Sequence, residues 1–258
     1  IAVTAATVLT YGGIIAGTGD LTKTVTGQLT LTGANTYSGT TTVSAGVLNI
    51  QNDTALGTTA GGTVVANGAA LQLQGGITVG AETLVLDGTG ITATGALRNI
   101  SGTNTFGGAI TMGSASRINS DAGTLTLTGN IDNGGFLLTV GGVGGLTLQG
   151  VISGAGGLTA DGAGTIILTG ANTYDGATTV SAGVLNIQHA TALGSTMGGT
   201  SVTSGAALQL QGDITVGAES LTLNGTGVST TGALRNISGT NTFRSEERRV
   251  GKECRSRW

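Results

Sequence analysis

An internal duplication constrains the fold of this chain more than any other feature. When the sequence is shifted so that Leu31 falls on Leu168, Leu31–Phe106 aligns without a gap with Leu168–Phe243, and 60 of the 76 positions are identical. Long-range self-similarity of this kind is typical of solenoids and other repeat folds. We therefore expect copies of one unit at about residues 9–106 and 146–243.

Inside the unit, aliphatic and polar residues alternate with a period of two. Such alternation indicates half-buried β-strands, and the Gly, Asn, Asp and Ser residues that bound most runs supply turns. The alternation predicts inward-facing side chains, with matching partners at the equivalent positions of the second copy, at Leu31, Val47, Leu71, Leu73, Leu84 and Leu86.

The composition favours a solenoid over other all-β folds. Aromatic residues make up only 3% of the chain, whereas sandwich cores usually use large aromatic anchors. The 50 Gly would make helices costly, and the absence of Pro suits strands that are hydrogen-bonded on both sides. We predict an all-β parallel β-solenoid that forms a single elongated domain of about eleven coils, with roughly 20–25 residues per coil.

The last fifteen residues differ from the rest of the chain. Residues 244–258 hold six of the ten basic residues, the one Cys and the one Trp, and the similarity between the copies stops at Phe243. We therefore expect a repeat body at residues 1–243 and a non-native tail at residues 244–258. Because the chain begins at Ile1 without Met, we interpret it as part of a longer protein.

The charge of the body argues against two classes of partner. Its basic residues are Lys23, Arg98, Arg117 and Arg235, against ten acidic residues. Four scattered cations cannot neutralise a run of phosphates, so we expect no binding to nucleic acid or to anionic membranes. No run of about 18 apolar residues occurs, so we expect no direct membrane insertion of this segment.

The sequence offers little catalytic chemistry. A Ser-His-Asp site needs a His, and the single one, His189, aligns with Asn52 of the first copy, which indicates a turn residue. The body has no Cys for a thiolate metal site. A Gly-rich run at Gly154 lacks the helix that a nucleotide-binding loop requires. We predict no catalytic, cofactor-binding or metal-binding residues.

Paired carboxylates are the strongest argument for an enzyme, because glycoside hydrolysis uses two of them about 5–10 Å apart. Charged residues occur about once per coil, which is too sparse for a preorganised cluster, and most acids change between the copies. Only Glu82 and Arg98 are kept, as Glu219 and Arg235. We expect them to be solvated surface residues, with a Glu82–Arg98 contact as the alternative. The substitutions between copies include Asp20 to Gly157, Asp53 to Ala190 and Asp87 to Asn224.

The segment Gly-Ala-Asn-Thr-Tyr occurs in both copies and is interpreted as structural. Asn35 and Asn172 are expected to bond the backbone of a turn, because Asn tolerates left-handed turns and its amide reaches nearby peptide groups. Tyr37 and Tyr174 are expected to cover the adjacent turn.

The segment from Ile152 to Ile187 resembles the autotransporter-associated β-strand repeat, also called the passenger-associated transport repeat. Its marks are G-x-G-G-L-T, then G-x-G-T-x-x-L-T-G-x-N-T-Y, then G-x-T-T-V-x-x-G-x-L. The first copy keeps the second half but has Asp20 and Gln28 at two positions of the first half. The resemblance implies a right-handed parallel β-helix at the bacterial cell surface, secreted with a translocator β-barrel of the same polypeptide.

Four functions follow from these observations. The favoured one is a display stalk that assists its own secretion and supports surface adhesion. The second is a direct adhesin that binds host surfaces or neighbouring cells. The third is an ice-binding solenoid, suggested by Thr30 and Thr32, and the fourth is a carbohydrate-active enzyme.

Overall fold

The alternating aliphatic residues form short strands that coil around a common core. The structure is a computed structural model that describes residues 1–244, so the predicted tail lies outside the described residues except for Arg244. Two single-turn 3-10 helices, Ile91–Ala93 and Val228–Thr230, are the only helical elements among the described residues. No helix in that range has the length and apolar character that are needed to cross a membrane.

The strands stack into three long sheets, here called faces, and one short sheet. Face 1 has eleven strands: β1 (Val8–Tyr11), β3 (Gln28–Leu31), β5 (Gly46–Ile50), β7 (Ala69–Gln74), β10 (Leu97–Ser101), β13 (Ser116–Ser120), β16 (Leu138–Gly142), β19 (Leu158–Ala160), β21 (Thr178–Val180), β23 (Thr200–Val202) and β26 (Leu221–Leu223). Face 2 has eight: β8 (Thr78–Val79), β11 (Thr103–Phe106), β14 (Thr124–Leu127), β17 (Gly145–Leu148), β20 (Thr165–Leu168), β22 (Val184–Ile187), β24 (Ala207–Gln211) and β27 (Leu234–Ser238). Face 3 has seven: β2 (Leu21–Lys23), β4 (Thr41–Val43), β6 (Thr63–Val65), β9 (Leu84–Leu86), β12 (Ile110–Met112), β15 (Ile131–Asp132) and β18 (Ile152–Ser153). The short sheet pairs β25 (Thr215–Ala218) with β28 (Thr242–Arg244).

The strand pairings confirm the predicted fold class. Neighbouring strands in every sheet are parallel, and each strand pairs with the strand one coil later on the same face. The eleven strands of face 1 give about ten turns, close to the eleven coils expected. The coils differ in length: the one from Leu29 to Leu48 is short, whereas the one from Thr78 to Thr105 is long.

The core lies inside the coils and consists almost entirely of aliphatic side chains. Five of the six residues predicted to face inward are buried, namely Leu31, Leu71, Leu73, Leu84 and Leu86. The prediction for Val47 is wrong: it is half-buried, and Leu48 and Ile50 of the same strand are the inward residues. Successive side chains of β5 point to opposite sides of the sheet. Because Leu48 and Ile50 point into the core, Val47 and Asn49 lie on the outer side.

The two copies of the duplicated unit lie on different faces of the solenoid. Six coil-to-coil steps along face 1 lead from Leu29 to Ala160. The counterpart of Leu29 in the second copy, however, is Ile166, which lies in β20 on face 2. The unit therefore comprises six complete coils and one further step along the chain to the next face. As a result, each strand of the second copy lies one face further around the axis than its counterpart in the first copy.

Glycine at the corners allows coils to approach one another closely. Gly46 has φ 72°, a conformation that L side chains rarely adopt, and a Cβ there would lie 2.4 Å from the Gly27 carbonyl oxygen. Its counterpart Gly183 has φ 57° and would meet the Gly162 carbonyl oxygen at 2.2 Å. These contacts explain why both copies have a glycine at this corner.

The duplication provides a matched pair of core substitutions. Leu86 is fully buried, whereas Leu223, at the same position of the second copy, is 43% exposed. We expect Leu86→Ala to lower the free energy of unfolding by about 2–5 kcal/mol, because it removes buried methyl groups and leaves a cavity. Leu223→Ala should cost less than about 1 kcal/mol. Urea unfolding followed by circular dichroism measures both, and equal losses would contradict the stacking order described above.

Candidate functional site

The Asn that both copies share joins three successive coils. The Asn35 side-chain oxygen accepts a hydrogen bond from the Ile15 amide at 2.9 Å, and its nitrogen donates to the Ala55 carbonyl at 2.6 Å. Asn172 makes the equivalent bonds to Ile152 and Ala192 at 2.8 and 2.7 Å. The structural interpretation is confirmed, but neither residue has a positive φ, so the left-handed turn was not the reason.

A line of buried hydroxyl groups runs across neighbouring coils and ends at a carboxyl group. The Tyr37 hydroxyl lies 2.5 Å from Thr41 Oγ1, Thr41 lies beside Thr63 on face 3, and Thr63 Oγ1 donates to Glu82 Oε1 at 2.8 Å. The second copy repeats the two side-chain contacts at 2.6 and 3.0 Å, through Tyr174, Thr178, Thr200 and Glu219. Both Tyr are buried, and each ring packs against the glycine that closes a turn of the next coil, Gly57 for Tyr37 and Gly194 for Tyr174, which confirms the prediction that they cover the adjacent turn.

Burial changes the acidity of the groups in this line. It raises the pKa of Glu82 above its usual value, and the hydrogen bond from Thr63 opposes the change. Burial also raises the pKa of Tyr37, to about 12. The pKa values of Glu219 and Tyr174 move in the same direction for the same reason. Glu82 is 2% exposed and does not contact Arg98, so both predictions for this residue, solvated or paired with Arg98, are wrong.

Lys23 is another buried group that the sequence did not reveal. Its side chain is fully buried, and its ammonium group donates to the carbonyls of Thr24, Val25 and Ala45 at 2.9, 2.7 and 3.1 Å. Burial lowers its pKa. Because the three acceptors are backbone carbonyls at a corner of the coil, Lys23 acts as a structural cap. Alternation within Leu21–Lys23 was the only signal that could have indicated an inward side chain.

Most other polar residues singled out in the sequence also serve the backbone. His189 Nδ1 accepts a hydrogen bond from the Thr191 amide at 3.2 Å, as Asn52 Oδ1 does from Thr54 at 3.1 Å, which confirms His189 as a turn residue. Acidic side chains on the loops accept hydrogen bonds from backbone amides of the next coil. Asp20 accepts from Thr40 at 2.8 Å, Asp53 from Thr78 at 2.7 Å, and Asp213 from Thr240 at 2.6 Å. No group of three or more potential metal-ligating His, Cys, Asp or Glu occurs in residues 1–244.

Amide side chains form a ladder on the outer side of face 1. We call the set Asn49, Gln51, Gln72 and Gln74 the amide ladder. Asn49 donates to Gln72 and Gln74 at 3.3 Å, and Gln51 donates to Asn49 at 2.9 Å. The second copy has the same ladder on face 2, formed by Asn186, Gln188, Gln209 and Gln211. The mutual bonds hold the side chains flat against the sheet.

The next coils of face 1 carry a cluster of charges, which we call the charged groove. It is a depression of about 320 Å³ lined by the side chains of Arg98, Arg117, Asn119, Asp121 and Asp161. Arg98 pairs with Asp121, and Arg117 pairs with Asp161 at 2.5 Å. Asn119 joins the pairs, since it accepts from Arg117 at 3.0 Å and donates to Asp121 at 2.5 Å. The expectation that charges are too sparse to cluster is therefore wrong.

The buried glutamates give the protein a pH dependence of stability. A carboxyl group whose pKa is raised on folding stabilises the fold below its unfolded value, and this contribution is lost as pH rises through the folded value. We therefore expect the thermal midpoint to fall as pH rises above the ordinary glutamate value of 4.5. In the double variant Glu82→Gln, Glu219→Gln, the thermal midpoint should fall less over the same pH range than in the wild-type protein. Differential scanning calorimetry from about pH 4 to 9 measures it, and identical profiles for the two proteins would contradict the assignment.

The chain is similar in sequence to a repeat family and to an adhesin autotransporter. The family model described as "Passenger-associated-transport-repeat" matches residues 21–50 and 158–187. The Adhesin BmaC autotransporter of Brucella suis biovar 1 (strain 1330) is 36% identical over 182 residues, which are 70% of this chain. The chain spans only 4% of the length of that relative. No solved structure gives a significant match.

The family matches agree with the coils described above. Each matched segment contains four strands and the Gly-Ala-Asn-Thr-Tyr segment of one copy. The chain thus carries two passenger-associated transport repeats of autotransporter passengers within a parallel β-solenoid, and it is a distant homologue of an adhesin autotransporter.

Proposed function

We propose that this chain is a stalk segment of an autotransporter passenger, which holds other parts of the passenger away from the cell surface and so supports adhesion. The observation that carries the proposal is the uninterrupted stacking of eleven parallel strands on face 1. A rod in which every coil bonds to the next resists bending and can be lengthened without a new fold. The two transport repeats and the adhesin relative support a location outside the cell.

Secretion would use the energy of the same stacking. Each coil that folds outside the cell adds hydrogen bonds and buried aliphatic surface to the coils before it, which favours outward movement of the chain. The proposed partner is the translocator β-barrel of the same polypeptide. Host surfaces and neighbouring cells are the proposed targets of the complete passenger.

A direct adhesin is the second candidate, and the amide ladder favours it. The ladder places rows of donors and acceptors on two faces of the rod, where Gln51 and Gln74 on one face and Gln188 and Gln211 on the other are at least partly exposed. Contacts to such rows are individually weak but add up when many copies meet a surface. Alanine substitution of Gln51, Gln72 and Gln74 in the displayed parent separates the candidates: a stalk keeps adhesion, and a direct adhesin loses it with display intact.

We propose further that the chain is not an enzyme. Its buried glutamates lie in the core in both copies, and loop carboxylates such as Asp20 and Asp53 accept hydrogen bonds from backbone amides. Asp121 and Asp161 are held in ion pairs with arginines. Incubation with acidic and neutral polysaccharides should leave their chain lengths unchanged in size-exclusion chromatography. Cleavage by the wild-type chain that is lost in Asp121→Asn or Asp161→Asn would contradict the proposal.

The register of the coils gives a sharper test of the stalk. Thr178 pairs with Thr200, so residues 178–199 form one complete coil. Deletion of this coil from the full-length parent should preserve surface display, because Thr200 then stacks where Thr178 did. Deletion of residues 178–188 removes about half a coil and puts inward side chains on the wrong faces, so display should fall at least tenfold. Antibody staining of intact cells measures display, and equal display of both deletions would contradict the stalk.

A further inference from the structure

Stability does not explain the charged groove. The side chains of Arg98 and Asp121 are 21% and 29% exposed, and those of Arg117 and Asp161 are 17% and 31% exposed. Partly exposed ion pairs contribute little to stability, because solvent screens the charges and ordering two long side chains costs entropy. In addition, Arg98 Nε, Arg117 Nε and Asp161 Oδ1 are buried without a hydrogen-bond partner in the described part of the chain. Buried polar atoms without a partner destabilise a fold, so stabilisation of the fold alone does not account for the cluster.

The shape of the groove follows from glycines and from one long coil. A Cβ at Gly141 would lie 2.2 Å from Asp161 Oδ1 and 2.8 Å from Arg117 Nη2, so a side chain at this position would displace the ion pair from its place across the strand. Ala93, the last residue of the 3-10 helix in the lengthened coil, and Thr94 also line the groove. Gly142, Val143, Gly162 and Ala163 complete the lining. The depression is shallow and open to solvent, a shape that suits a ligand lying along the surface and not one enclosed in a pocket.

The charges indicate the chemical class of the ligand. Each Arg is matched by an Asp, so the groove has no net charge, and it presents N–H donors directly beside carboxylate and amide acceptors. A sugar hydroxyl group both donates and accepts, so neighbouring hydroxyls can bond such mixed pairs. Val143 is 77% exposed at the edge and offers apolar contact for the carbon face of a sugar ring. An anion, by contrast, would have to displace an Asp from its Arg.

We propose that the charged groove binds a neutral glycan. The groove also continues into the amide ladder, since Asn49, Gln72, Arg98 and Asn119 follow one another on successive coils of face 1. This column repeats every ~4.8 Å along the rod. Asn49 and Gln72 are buried and bonded to each other, so the polar contacts to the sugar come from the groove itself. The inference goes beyond the proposed function, because a stalk requires no ligand site.

Nuclear magnetic resonance of the purified full chain tests the proposal directly. The probes are neutral hexasaccharides of glucose, mannose, galactose and N-acetylglucosamine, and a sulfated hexasaccharide serves as the anionic comparison. At least one neutral probe should shift the side-chain Nε–H resonances of Arg98 and Arg117. A sulfated probe that binds more tightly than every neutral one would overturn the assignment, as would the absence of a shift with all four neutral probes.

Two matched pairs of variants locate the site. Ala163 is exposed at the groove wall, and Thr26 is the exposed residue at the same position of the first copy. Ala163→Phe should fill the groove and weaken binding at least tenfold, whereas Thr26→Phe should change it less than twofold. Likewise, Arg98→Ala should weaken binding and Arg235→Ala should not, because Arg235 does not line the groove. Unchanged binding in Ala163→Phe, with an unchanged melting temperature, would place the ligand elsewhere and refute the proposal.

Discussion

Hydrogen bonding between one coil and the next is the constraint on which this structure depends. A short parallel strand cannot satisfy its own backbone, so each coil takes its partners from the coils on either side. The same stacking closes the core, because the inward side chains of each coil, such as Leu48, lie between those of its neighbours Leu29 and Leu71. A single coil would bear the entropic cost of ordering its residues without either gain.

The side chains that depart from the aliphatic pattern serve this stacking. Asn35 joins three coils through one amide group, and Lys23 caps a corner with its ammonium group. The buried line from Tyr37 to Glu82 places polar groups in the core, where each needs a partner on an adjacent coil to offset the cost of burial. The charged groove is the exception, because its ion pairs lie outside the core and its buried nitrogens lack partners in the described residues.

The sequence predicts the fold well because both of its signals are local or repeated along the chain. Alternation places Leu71 and Leu73 in the core, and the duplication indicates a solenoid. Val47 was misassigned because three of the four residues from Val47 to Ile50 are aliphatic, so the sequence does not show which alternate positions face the core. The candidate site was missed for another reason: Arg117 and Asp161 are far apart in the sequence, and only the register of the coils brings them together.

The turn of one face between the two copies affects how such a chain can change in length. Because the copies are identical at 60 of 76 aligned positions, recombination between the DNA segments that encode them would remove or add one whole unit, and the junction would keep the strand pattern that both copies share. The rod would become six coils shorter or longer, and everything beyond the junction would also rotate by one face about the axis. A single genetic event of this kind changes both the reach of a distal segment and the direction in which it points.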